Sequence, residues 1–357
     1  MEAEFIKPAD TRWTGVLAKT QHDFYHLPEY LVFAAKHEGG TPVAFYAKDG
    51  DAEFLAPLLI REVPAMLDTP GGLKDAITPY GYPSPLLTVP GNASMLMRFL
   101  DAFQHSALEQ GIIAAFFRLH PLLQFPLERL AEQGSLVHHG YTVYLDLSLS
   151  PEDIWAQVSR THRKHINRLH KAGFHVVLDD WSLFDQFITL YRATMKRKSA
   201  DEFYLFSNSY FYDLRAALSD CLHLYAVLSP EAEVAAAGVC VAMNGIVQNH
   251  LVGTNEKYEH AAPIKLTLDY LWRWAKGMGY DVLHLGGGVG GSSDSLFAFK
   301  AGFSDLRASF YTFRMILDGD SYALLTRLQN EQNATTESNA RAFFPEYRRP
   351  AAVKNSG

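Results

Sequence analysis

The chain has 357 residues, 48% hydrophobic and 20% charged, with 25 Gly and 17 Pro. That mixture can bury a full core and excludes a disordered or low-complexity chain, and the length predicts about two domains. With a net charge of −7, an anionic partner must be held by a local cationic patch. Cys221 and Cys240 can form at most one bridge, which fits a reducing compartment. Residues 1–5 are acidic with no apolar stretch, so no signal peptide is read there. The longest apolar run, residues 234–243, is too short to span a membrane, and a cytoplasmic protein is expected.

Residues 42–48 and 53–60 read as two strands around the turn-forming Asp49-Gly50-Asp51. A Gly/Pro-rich stretch over 69–90 follows and contains Tyr80-Gly81-Tyr82. Residues 95–110 set Leu96, Phe99, Leu100 and Phe103 on one helical face, with Gly111 as the stop. Residues 112–119 form an apolar strand interrupted by Arg118 and ended by His120-Pro121, and 141–147 alternates as a strand. Ser150-Pro151-Glu152-Asp153 is a helix start, and the helix is expected to run to Gly173. Ile154, Val158, Ile166 and Leu169 line one face of it.

The second half repeats this order. Residues 223–228 and 234–242 read as strands, Asn244-Gly245 turns the chain into 246–252, and Pro263 opens a helix. Ile264, Leu268, Leu271 and Ala275 share a face of that helix, Gly277 and Gly279 end it, and 281–285 is a strand. Two similar α/β domains with mixed sheets are therefore expected, over 1–147 and 148–318. A C-terminal helix and tail occupy 319–357, polar after Asn333 except for residues 343–348.

The helix after Ser150 carries Arg160, Lys164, Arg168 and Lys171 on one arc, with Arg163, His162, His165 and His170 adding cationic character. No acid lies between Ser159 and Gly173. Such a run is either a solvated face or a contact for phosphates, and Arg160, Arg163, Lys164 and Arg168 are the candidate donor-phosphate or RNA contacts. Met195-Lys196-Arg197-Lys198 would extend the patch. His162 and His165 lack a third ligand nearby, so no metal site is expected. Residues 286–291 contain G-x-G-x-x-G, but only a short helix follows before Gly302 and the strand ahead of them is not the first of a βαβ unit. They read instead as a flexible loop whose amides at Gly287 and Gly288 can approach an acyl or phosphate group.

The segment Asp294-Ser295-Leu296-Phe297-Ala298-Phe299-Lys300-Ala301-Gly302-Phe303 follows this loop. With Tyr80-Gly81-Tyr82, Phe117-Arg118-Leu119-His120-Pro121 and Phe344-Pro345-Glu346-Tyr347-Arg348, it resembles the FemABX-like and CelD/BioF2-like tandem GNAT acyltransferases. The resemblance covers residues 24–313 and implies two GNAT folds holding an acyl donor and an acyl acceptor. It implies that Lys300 acts on the transferred acyl group, with Phe299, Asp294, Gly287 and Gly288 in the substrate site. His120 stands where related proteins carry Asp before Pro, which implies a proton acceptor, and a histidine at that strand end reads equally as a core residue. Lys36, Arg118 and Tyr210 match substrate-binding positions. Phe206 and Leu251 depart from the pattern of peptidoglycan-precursor binders.

The helix opened by Pro263 lacks the Gly-rich pyrophosphate loop of an ordinary GNAT, which disfavours acetyl-CoA in its usual pose. The resemblance thus implies transfer of an aminoacyl or acyl group, from aminoacyl-tRNA or acyl-CoA, to an amine of a cell-envelope precursor. That precursor could be lipid-linked and met at a membrane surface. No metal or redox cofactor is implied. Alternatives are an acyl-CoA-dependent N-acyltransferase of polysaccharide biosynthesis and a non-catalytic tandem-GNAT binding module.

Overall fold

The computed structural model describes residues 1–63, 72–332 and 343–350. The chain divides into two compact units, one of residues 1–138 with 311–357 and one of residues 139–310. Each is a mixed α/β body with its own core.

The first unit opens with β1 (Glu2–Ile6), α1 (Thr11–Leu17) and α2 (Pro28–Glu38). The hairpin of β2 (Thr41–Asp49) and β3 (Ala52–Glu62) follows, then β4 (Lys74–Ile77) and β5 (Leu86–Leu87). α3 (Ala93–Glu109) leads into β6 (Ile112–Arg118). The sheet order is β1-β2-β3-β4-β6, with β5 beside β3; β4 and β6 run parallel and the other pairs antiparallel. Leu96, Phe99, Leu100 and Phe103 of α3 are all buried against this sheet, with Phe45, Phe54 and Phe117. Each such side chain contributes roughly 1.5–3 kcal/mol of burial.

The chain enters the second unit within β7 (Ser135–Asp146). α4 (Pro151–Gln157) and α5 (Arg160–Lys171) come next, then β8 (His175–Leu178), α6 (Phe184–Arg197) and α7 (Asn208–Leu218). The hairpins of β9 (Leu222–Leu228), β10 (Val234–Met243) and β11 (Ile246–Thr254) precede α8 (Ile264–Gly277) and β12 (Val282–Gly286). The sheet order is β7-β12-β11-β10-β9-β8, with only β11 and β12 parallel. α8 makes the crossover between that parallel pair, which needs a connection of a dozen or more residues. α9 (Ser295–Ala301) and β13 (Arg307–Ile316) follow β12, and α10 (Gly319–Gln332) closes the described helices.

Two sequence expectations change. The single helix over 151–173 is two helices, because Val158 is extended (ψ 126°) and the Ser159 side chain caps α5 by accepting the His162 amide. Residues 311–318, placed by sequence in the second domain, belong with the first unit, where Thr312–Ile316 of β13 pair antiparallel with β6. α10 and Tyr347 also pack there, around Ile113 and Ala114. The polar tail after Asn333 lies outside the described residues, apart from residues 343–350.

Candidate functional site

The segment from Asp294 to Phe303 folds as the short helix α9, and Asp294 is its N-cap. Its Oδ1 accepts the Phe297 amide at 2.8 Å and its Oδ2 accepts the Val289 amide at 2.9 Å. These backbone donors hold the carboxyl below the usual carboxylate range. Asp294 therefore stitches the Gly-rich loop to the start of the helix, instead of presenting a carboxylate to substrate. Gly288 is demanded by that closure, since a Cβ there would stand 2.1 Å from the Ser292 carbonyl oxygen.

Lys300 extends from α9 to the loop, and its Nζ donates to the Gly287 carbonyl at 2.6 Å. Burial pushes its pKa down to about 8, with the Asp294 carboxylate opposing the shift. Among the described residues Lys300 has no carboxylate within ion-pair distance. An ammonium has three donors; one is spent on Gly287, and the others can meet a developing oxyanion. The loop thus faces Lys300 with a carbonyl at Gly287, whereas the sequence reading had its amides facing a ligand. Phe299 is half-buried, its ring 5.4 Å from His162 and 5.7 Å from Phe303, so it packs α9 in place.

α5 is bolted to that helix. The Ser159 amide donates to the Gly302 carbonyl at 2.8 Å, and His162 Nε2 meets the Phe299 carbonyl at 2.9 Å. Gly302 is required, since a Cβ there would lie 2.5 Å from His162 Nε2. Burial holds His162 below the ordinary histidine range. The opposite face of α5 carries Arg160, Lys164, Arg168 and Lys171, all exposed. Arg163 is turned away from them, with its Nη1 on the Trp155 carbonyl at 3.4 Å. Lys198 and Arg197 are both paired with Glu259 and so do not extend the patch as expected.

One further pair was not singled out in the sequence. Lys265, in the first turn of α8, is 8% exposed, and its Nζ lies 2.9 Å from His165 Nδ1 on α5. Its signal was a lysine placed between apolar Ile264 and Leu266 near the start of an amphipathic helix.

In the first unit, His120 does not sit as a general base. Its side chain is fully buried; Nδ1 accepts the amides of Leu122 (3.1 Å) and Leu123 (3.2 Å), and Nε2 meets Asp23 Oδ2 at 3.1 Å. Because the amides can only donate, the proton sits on Nε2 and is donated to Asp23. No lone pair is left for a substrate amine. Asp23 in turn caps the turn Phe24–His26 through its Oδ1, so this histidine ties the end of β6 to the start of α2. The stretch His22-Asp23-Phe24-Tyr25-His26 held a local signal, an Asp cap with a reciprocal His three residues on.

Arg118 donates to the Thr78 carbonyl at 2.6 Å and lies over the Phe116 ring at 4.9 Å. Burial lowers its pKa, and Glu38 opposes the shift. Lys36 is exposed on α2. Tyr210, in the second unit, is buried with its ring stacked on Phe206 at 3.8 Å. Phe299, Lys300, Gly287, Gly288 and Asp294 therefore share one neighbourhood of the second unit with α5. Tyr210 lies on α7, and His120, Arg118 and Lys36 belong to the first unit. Among the described residues no group of three or more His, Cys, Asp or Glu side chains could hold a metal ion. No described helix is long and apolar enough to cross a membrane.

Residues 156–300 match the family model described as an acetyltransferase (GNAT) domain. That stretch holds α5, the Gly-rich loop and Lys300. No curated protein sequence matches the chain. Among solved structures, FemX is similar with a TM-score of 0.70 and 14% identity, over 91% of this chain and 99% of that one. L-PGS from Bacillus licheniformis is similar with a TM-score of 0.54 and 15% identity, over 90% and 98%. The C-terminal domain of a putative lysylphosphatidylglycerol synthetase from Agrobacterium fabrum has a TM-score of 0.55 and 14% identity, over 89% and 93%. At these identities the shared property is the fold.

Proposed function

We propose, from the match of residues 156–300 to a GNAT acetyltransferase domain, that the chain is an acyltransferase that passes an aminoacyl or acyl group to an amine of a cell-envelope precursor. The observation that carries this reading is Lys300, with its pKa near 8 and its Nζ on the Gly287 carbonyl. Attack of an amine on an acyl carbonyl builds charge on the carbonyl oxygen. A fixed donor in a site that excludes water stabilises that charge more than water does. An acyl group bound beside Gly287 would place its carbonyl oxygen on the two remaining Lys300 donors. The fold of FemX and of the lysylphosphatidylglycerol synthetase domain supports an aminoacyl group as the cargo. The exposed row of Arg160, Lys164 and Arg168 supports a polyanionic donor, so aminoacyl-tRNA is the first donor to test ahead of acyl-CoA.

The test supplies the protein with labelled aminoacyl-tRNA, or with acyl-CoA, and candidate amine acceptors. Transfer from aminoacyl-tRNA is expected, with a loss of about 10²–10³-fold in Lys300→Ala. Because the charged form of Lys300 is the donor, the rate should fall as pH rises through about 8. Lys300→Arg keeps its charge at high pH and should abolish that basic limb. Transfer with acyl-CoA alone rejects the tRNA donor. No transfer with either donor favours a binding module. Removing Arg160, Lys164 and Arg168 together should weaken RNA binding and lower its salt slope by about 2, at roughly 0.7 per phosphate on a single strand.

A further inference from the structure

Lys265 is a cation in the wrong company. Its side chain is almost fully covered, yet the atom it meets is His165 Nδ1, at 2.9 Å. Among the described residues no carboxylate forms an ion pair with it. The neighbouring acids are committed elsewhere: Asp269, one turn along α8, takes the Trp272 indole and the Arg273 guanidinium, and Glu259 takes Arg197 and Lys198. What does surround the pair is positive. Arg168 lowers Lys265, and Lys265, Arg168 and Lys164 all lower His165, after desolvation in each case. His162, beside them on α5, is also pressed down by Lys265 and His165, and its buried Nδ1 has no partner. Burying charge without a counterion is costly, and such groups are normally paired. A site that concentrates this much uncompensated positive potential is built to receive an anion.

The tautomer gives the site a direction. An ammonium can only donate, so His165 Nδ1 accepts from Lys265 and the imidazole proton sits on Nε2. His165 is half-buried, between the covered Lys265 and the exposed Lys164 and Arg168. We propose that His165 is a phosphate-binding residue: its Nε2–H, polarised by Lys265 behind it, donates to a phosphate oxygen of a ligand held by Lys164 and Arg168. The ligand class is a phosphate ester or diphosphate. The inference rests on reading α5 as the donor-phosphate face, and adds to it the residue that grips one phosphate from the side of α8. Because Nδ1 is taken by Lys265, His165 stays neutral in the complex and binds the phosphate through its Nε2–H.

Inorganic diphosphate is the probe, titrated calorimetrically into the full chain. The parent should bind it. His165→Phe should bind about tenfold more weakly, and His165→Gln, which keeps a donor, should recover part of the affinity. Lys265→Met removes the ammonium that polarises the Nε2–H and should also bind more weakly than the parent. Circular dichroism and the unfolding midpoint establish that each variant is folded, and a variant that fails this is replaced by His165→Asn. If His165→Phe matches the parent in affinity while Lys164→Ala with Arg168→Ala weakens binding, the His165 assignment is overturned and the α5 face stands. If the parent does not bind diphosphate, or if the Lys164 and Arg168 changes leave binding intact, the phosphate face itself fails and this proposal with it.

Discussion

His26 lies wholly inside the first unit, with Nε2 3.0 Å from the Ser84 carbonyl and Nδ1 against the backbone of Asp23. Burial, reinforced by His120, pushes its pKa down to about 3. Between that value and the ordinary 6.5 the unfolded chain binds a proton that the folded chain refuses. Stability is therefore full above pH 6.5 and falls as pH drops toward 3, by up to about 1.4 kcal/mol per pH unit from this residue. His26→Gln should flatten that limb in urea unfolding measured from pH 6.5 to 3.5, and an unchanged slope would assign the acid loss to other groups. His120 was read as a cleft base because a histidine before proline at a strand end has the right chemistry. Its partners decided otherwise, and two of them are backbone amides that no side-chain pattern reveals. Lys300 was legible by the resemblance, but its depressed pKa comes from its burial in the folded chain.

At the scale of elements, the apolar periodicities were reliable. Ile154, Val158, Ile166 and Leu169 are all buried, as the one-face reading required, although Ile154 lies on α4, Ile166 and Leu169 on α5, and Val158 at the break between them. The break was missed because burial periodicity carries across a kink that keeps both segments on one core. Ser159 marked it, yet a serine within a charged run reads equally as a solvated position. α6 and α7 were not read at all; they meet through aromatic rings, Phe187 and Tyr191 against Phe211 and Phe184 against Tyr212, and aromatic runs serve strands as well as helices. The junction of α5 with α9 yields a direct prediction. Gly302→Ala forces a methyl onto the His162 ring and should cost about 1–3 kcal/mol, as overpacking does. It should also move Lys300, seen as a shifted midpoint when its reactivity toward an amine-labelling reagent is followed against pH by mass spectrometry. A stable variant with the parent midpoint would mean that α9 is held without His162.

At the scale of the molecule, the C-terminal segment completes the first unit. Asp75 is fully buried and takes the Arg61 guanidinium at 2.7 Å, the Arg348 guanidinium and the Tyr347 hydroxyl at 3.2 Å. Arg348 Nη2 also reaches the Glu62 carbonyl at 2.6 Å. Removing one partner of a buried ion pair strands the other, at a cost of about 3–5 kcal/mol. Asp75→Asn should accordingly speed hydrogen exchange across β3, β4 and β6, with β10 of the second unit unchanged. Uniform loosening of both units would show that they unfold as one. The resemblance pointed to residues 344–348 as a motif, but their carboxylate partner lies some 270 positions earlier, and composition alone has no access to such a pairing.

By itself the sequence determined the class of object: two α/β bodies, an acid-free cationic helix within an acidic chain, and a Gly-rich loop followed by Phe299-Lys300. These features are local, set by side-chain period, turn chemistry and charge along a few turns of chain. The tertiary structure decided which polar groups are spent and which remain for chemistry. Asp294, His120 and Arg163 are consumed by backbone donors or acceptors, whereas Lys300 and the Lys265–His165 pair keep charge or donors in reserve. The reason is physical: the cost of a buried polar group depends on partners that folding brings from distant positions, and those partners set its protonation and its role.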